Sequence, residues 1–160
     1  MLRFAFRAIV AGVLTTALAA CATQESPPKN PQRVVNERIA VMKSFAGALG
    51  AAGNFAQGKA TVEAAKAKLA AARAGAERLG DLVPRGTALG DRGVTTSRAL
   101  STIFANRSDF DSKRAALEDA LAALDGALAK NSKSEAVKHV APVKNACAAC
   151  HARYRAPDEP

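Results

Sequence analysis

Residues 110–128, FDSKRAALEDALAALDGAL, decide the fold. Phe110, Leu117, Leu121, Leu124 and Leu128 fall on one side of a 3.6-residue period, while Lys, Arg, Asp and Glu take the other. Similar stripes flank this segment. Upstream, Val62, Ala65, Leu69, Ala72, Ala76 and Leu79 form one, ended by Gly80 and Pro84. Before it, from Arg33, come Val35, Ile39, Met42, Ala46 and Leu49; Gly50 and Gly53 loosen that helix's end, and Gly58 sits in the turn. Downstream, Asn131 reads as a stop, and Ser132 with Glu135 as a capping box. A last helix then carries Val137, Val140, Lys144, Cys147, His151 and Tyr154 on one side, and Pro142 inside it predicts a kink or a local loss of hydrogen bonding. Leu82–Val94 reads as the longest irregular connection, and Thr95–Asn106 as a short helix bearing Leu100, Ile103 and Phe104. Four amphipathic segments describe an all-α, antiparallel four-helix bundle.

Composition agrees. The chain has 160 residues, enough for one domain, and about a quarter are alanine. Few β-branched or aromatic residues argue against an all-β fold, and the apolar periodicity argues against disorder. Only 4% of residues are aromatic and none is Trp, so a core of Ala, Leu and Val would be thin unless something else fills it. No Gly-rich phosphate loop, Walker motif or Ser-His-Asp pattern is present.

Residues 1–20 have the layout of a secretory signal peptide: Arg3 and Arg7, an apolar run from Ala8 to Leu18, then Ala19 and Ala20. The run is short for a membrane span. Leu18-Ala19-Ala20-Cys21 resembles the lipobox of bacterial lipoproteins, in which cleavage precedes a cysteine that carries diacylglycerol. Several acyl chains on one residue anchor stably. Residues 21–32, with Pro27, Pro28 and Pro31, read as the lipidated N-terminus and a semi-rigid tether, and 33–160 as the bundle. The expected location is therefore periplasm-facing on a bacterial membrane. Ala22 after the cysteine resembles the class sorted to the outer membrane. Loss of Arg3 and Arg7 takes the formal charge from +9 to +7.

Cys147-Ala148-Ala149-Cys150-His151 is the signature of covalent c-type haem attachment. On a helix, positions 147, 150 and 151 span roughly one third of the circumference. Two thiols can then reach the two vinyl groups of one porphyrin while the imidazole reaches the iron; its second ring nitrogen needs an orienting partner. With Cys21 taken by lipid, no cysteine is left over. A Cys147–Cys150 disulfide, a zinc site and a chance match compete with this reading. The surroundings lack the β-α-β pattern of a redox bridge, and no second Cys or His pair completes a zinc tetrad.

The C-terminal Cys147-Ala148-Ala149-Cys150-His151-Ala152-Arg153-Tyr154-Arg155 resembles the end of cytochrome c′ and its low-spin relatives, which carry the motif at the end of a four-helix bundle. Arg38-Ile39-Ala40-Val41-Met42-Lys43 and Ile103-Phe104 add to the likeness, which spans about Arg33 to Arg155. The resemblance implies one haem c with Cys147 and Cys150 as thioether attachments and His151 as proximal ligand. It places Met42 over the sixth coordination position, Arg38 at a haem propionate and Arg155 beside the proximal face. Homodimers are common in that family.

Function turns on Met42. Ligation by its thioether gives a six-coordinate His/Met electron carrier; a Met that only packs leaves a five-coordinate NO- or CO-binding protein. Neither reading is enzymatic, since no acid-base pair accompanies the motif. His139 lies twelve residues before His151, about 18 Å along a helix, and reads as a surface residue rather than a second ligand. Lys59, Lys66, Lys68, Arg73 and Arg78 read as a solvated face or as a docking surface for an acidic periplasmic or membrane redox partner, or for anionic headgroups. Nucleic acid does not fit an exported lipoprotein. Loss of Phe4 and Phe6 with the signal peptide leaves Phe45, Phe55, Phe104, Phe110 and Tyr154, so a porphyrin would supply missing aromatic bulk.

Overall fold

The structure, a computed structural model, describes residues 26–157. The expected signal peptide, Cys21 and the start of the tether lie outside the described residues. Four long helices and one short one follow in order: α1 (Pro31–Ala56), α2 (Val62–Arg78), α3 (Thr102–Ala105), α4 (Arg107–Ala129) and α5 (Lys133–Tyr154). Helix α1 packs on α2 and α5, and α4 packs on the same two, which closes a ring of four. Bonds at one end fix the directions. Arg107 at the start of α4 donates to Gly80 O just past α2, and Arg153 near the end of α5 donates to Asn106.

Local chemistry sets the helix ends. The Asn30 side chain accepts from Arg33 N with Pro31 in the first turn, so α1 begins two residues before Arg33 and absorbs the last of the tether. Thr61 and Ser132 cap α2 and α5 in the same way. The Ser132 box is only half made, because the Glu135 carboxylate takes Lys138 Nζ at 2.6 Å. Asn131 adopts φ 51, the left-handed conformation that stops α4. Helix α1 runs through Gly50 and Gly53 to Ala56, held by the buried Ala52 and Phe55. Helix α5 is likewise continuous through Pro142.

The expected stripes of α2 and α4 are buried throughout. Those of α1 and α5 need correction. In α1 the core face is Val35, Arg38, Val41, Phe45, Ala48, Ala52 and Phe55. Ile39, Met42 and Leu49 are half-buried and Ala46 is exposed. In α5 the core residues are Ala136, Val143 and Tyr154, while Val137 is 59% exposed and Lys144 is exposed. His139 is half-buried rather than on the open surface.

The expected helix over Thr95–Asn106 shrinks to Thr102–Ala105. Backbone groups there bond elsewhere. Leu89 N donates to Ala99 O, Leu100 N to Tyr154 O and Ala156 N to Arg98 O, which makes a short antiparallel tie between the connection and the end of α5. Arg38 holds the same connection from the core side. At 6% exposure its guanidinium donates to Leu82 O, Thr87 Oγ1, Thr87 O and Ser97 Oγ, at 2.7–3.1 Å.

One polar contact locks α4 to α5. The buried Tyr154 hydroxyl donates to Asp109 Oδ2 at 2.5 Å, and its ring meets Phe110 edge-to-face at 5.7 Å. The Tyr154 hydrogen bond first, then Lys113 and Arg153, hold the Asp109 carboxyl below the ordinary carboxylate range. A carboxyl whose folded pKa is depressed adds stability above its unfolded pKa, and that addition is lost on acidification. Tyr154→Phe should therefore melt below the parent at pH 7, and the gap should start to narrow only below about 3.9 and close as pH falls through the depressed pKa of Asp109, as thermal unfolding followed from pH 7 down to about pH 2 would show. A second prediction tests the inward face of α5. Val143→Ala should cost about 2 kcal/mol in urea unfolding, whereas Val137→Ala should stay within about 0.5 kcal/mol of the parent.

Candidate haem-binding site

Helix α5 carries Cys147, Cys150 and His151 on its last two turns, all half-buried, while Ala148, Ala149 and Ala152 point to solvent. The three reactive side chains thus share the face that looks toward α1. Between α1 and α5 runs a cleft made of two neighbouring cavities. The larger, about 520 Å³, is lined in part by Arg38, Met42, Arg98, Cys150, His151 and Arg155. The smaller, about 200 Å³, adds Cys147, Leu49 and Leu117 to Met42, Cys150 and His151. This volume lies in the ordinary range for a small-molecule or cofactor site.

The apolar residues of α1 that miss the core find their place here. Ile39, Met42 and Ala46 line the larger cavity, and Met42, Ala46 and Leu49 the smaller. Helix α1 has two apolar faces, one for the core and one for the cleft. Opposite, Phe110 and Leu79 contribute to both cavities.

Electrostatics distinguish the floor from the rim. Burial pushes both thiols above their ordinary pKa. For His151 burial lowers the pKa, and the neighbouring Arg155 and Arg98 lower it further. The imidazole is therefore neutral at pH 7 and keeps a lone pair for a metal. Among the described residues no hydrogen bond reaches its ring, and the expected orienting partner is not seen; the two charged groups closest to it are guanidinium donors, which cannot accept. Burial also lowers the Arg38 pKa. All four Arg38 hydrogen bonds go to neutral acceptors, so the cavity contains a buried cation whose bonded partners carry no counter-charge.

These features fit a haem. The cleft offers apolar walls for a flat macrocycle, two thiols and a neutral imidazole on one wall, a thioether on the other, and arginine for carboxylates. The zinc alternative fits less well, since no cluster of three His, Cys, Asp or Glu exists among the described residues. Both motif thiols are free, not paired to each other.

All six residues expected around the cofactor line one or both cavities: Arg38, Met42, Cys147, Cys150, His151 and Arg155. Sequence reasoning missed Thr96, Arg98 and Ala99, which also line the larger cavity. They come from the irregular connection and are placed by its bonds to Tyr154, Ala156 and Leu89, which leave no periodic signal.

The same architecture occurs in solved structures. Cytochrome c′ from Thermochromatium tepidum is 28% identical, with 79% of this chain and 97% of that one covered and a TM-score of 0.71. Cytochrome c′ from Rhodobacter Spheriodes is 26% identical, with 80% and 98% covered and a TM-score of 0.69. A nitric oxide complex of a cytochrome c prime variant from Alcaligenes xylosoxidans shares the fold at 20% identity, with 82% and 99% covered and a TM-score of 0.69. No curated protein matches by sequence. The sequence profile described as Cytochrome C′ matches residues 33–155, from the third residue of α1 to the end of the cleft. With a profile match across the whole bundle and a cleft that brings Cys147, Cys150 and His151 together, the chain belongs to the cytochrome c′ family of haem proteins.

Proposed function

We propose that this protein is a lipid-anchored, periplasm-facing electron carrier with one covalent haem c. Cys147 and Cys150 form the thioethers and His151 holds the iron. The observation that carries the proposal is the pairing of His151 from α5 with Met42 from α1, which line both cavities together. When bound, the haem supplies a one-electron iron couple whose potential is raised by a sulfur ligand. The chain's part is to hold and tune it. His151 stays neutral through burial and its two arginine neighbours. Arg38, whose bonded partners are all neutral, gives a propionate its counter-charge. Leu79, Phe110 and Ile39 keep water from the walls. Anchoring rests on the signal peptide and Cys21.

A second reading stands on the same cleft. Met42 is half-buried and borders open volume on both sides, so a thioether that swings aside would free the sixth position for a diatomic gas. The Alcaligenes xylosoxidans structure binds nitric oxide. A structural relative with ligand-controlled dimer dissociation, 22% identical, makes a dimer whose assembly answers to the same event a natural companion of this reading.

Two measurements test these assignments. Cys147→Ala with Cys150→Ala should abolish the haem-stained band that survives SDS; a retained band would overturn covalent attachment. Oxidised protein should show a sulfur-to-iron charge-transfer band that disappears in Met42→Ala. A high-spin spectrum in the parent, with rapid nitric oxide uptake, would replace electron transfer by gas binding.

A further inference from the structure

Two basic residues of the face expected along α2 have acidic neighbours. Arg73 pairs there with Asp125 at 2.5 Å, and Arg78 lies 3.8 Å from Glu37. A different surface stands out on the connection between α2 and α3. Leu89 is 54% exposed, one of two exposed large hydrophobic residues among those described. Arg85 and Arg92 flank it in sequence and are both exposed. A single exposed leucine needs no explanation, but one bracketed by arginines has the composition of an interfacial membrane contact.

Position supplies the second observation. The N-terminal segment runs along this same loop. A side chain at Gly86 would collide with Pro27 at 2.8 Å, and one at Gly93 would crowd Pro31 at 3.3 Å. Both glycines have positive φ, so the loop presses its backbone against the departing chain. Cys21 is five residues before Ser26, a reach of at most about 18 Å. An acylated Cys21 would therefore bring this loop, and not the Lys59, Lys130 and Lys133 end of the bundle, to the bilayer surface.

The geometry points to the Arg85–Arg92 loop as a membrane-docking surface, with Leu89 inserted among anionic phospholipid headgroups that Arg85 and Arg92 engage. The inference rests on the anchoring proposed above for Cys21. It has a consequence for the cleft. Leu89 N donates to Ala99 O at 2.7 Å, and Ala99 lines the larger cavity beside Arg98. Docking holds this wall of the cleft close to the bilayer, one hydrogen bond from the inserted residue.

Hydrogen exchange of the mature protein tests this in vesicles of phosphatidylethanolamine with phosphatidylglycerol, against vesicles of phosphatidylcholine alone. Amides of residues 86–93 should exchange roughly fivefold more slowly for each arginine engaged in the anionic vesicles. Arg85→Ser with Arg92→Ser should return them to the phosphatidylcholine rate, while Arg73→Ser leaves the protection intact. Equal rates in both vesicles, or protection confined to residues 57–61 and 130–138, would overturn the proposal. So would protection that appears with a soluble polyglutamate and not with vesicles, which would mark an acidic protein as the partner. The mass of the N-terminal peptide reports acylation separately. If no acyl chain is present the anchor fails, and the loop is judged alone by adding the same vesicles to the soluble protein.

Discussion

A guanidinium buried without a carboxylate is the constraint around which this bundle is arranged. Arg38 occupies a core position of α1, between Val35 and Val41, where an apolar residue would pack at lower cost. In exchange it gathers four acceptors from a connection that has almost no regular structure. The connection in turn pairs with the end of α5 and aims Thr96, Arg98 and Ala99 into the cleft. One side chain thus joins the first helix, the loop and the last helix. It does so beside the cavity where an anionic group would complete its charge.

The division of labour between core and cleft explains the composition. Leu69, Leu121, Leu124 and Leu128 are fully buried and fill the α2 and α4 side of the ring. The α1 and α5 side stays apart at its Cys/His end. Phe110 and Tyr154 stand there as paired rings with a carboxylate behind them, giving a rigid wall where most of the core is aliphatic. Small and aliphatic residues elsewhere and rings here are two halves of one solution: a packed core and an open cleft between α1 and α5.

How much of this was legible depended on how many faces a helix must bury. Helices α2 and α4 each have a single apolar stripe, and every residue the sequence period names there is buried, with Gly75 and Ala127 added to them. Helix α1 has two such faces about a quarter of a turn apart. Ile39, Ala46 and Leu49 continue the period as if core but border the cleft, where the haem motif's likeness already places Met42, and Arg38 belongs to a core stripe that the apolar period leaves out. Helix α5 misled for a related reason, since Val137 continues the period but reaches solvent. The Cys/His motif was readable because its chemistry depends on spacing within one helix. Arg98 and Ala99 were not, because long-range backbone bonds place them and no local pattern encodes such bonds.

The cleft lies between the first helix and the last. The α1–α2 and α4–α5 pairs are each joined by a few residues and can close at small entropic cost, whereas the seam that sets Met42 across the cleft from His151 joins positions more than a hundred residues apart. Closing that seam costs the most chain entropy of the four, and the cleft interrupts its packing at the Cys/His end. A group bound there and held by side chains of both walls would act as a crosslink between the two ends of the chain, strengthening the contact that the chain alone closes at the greatest entropic cost.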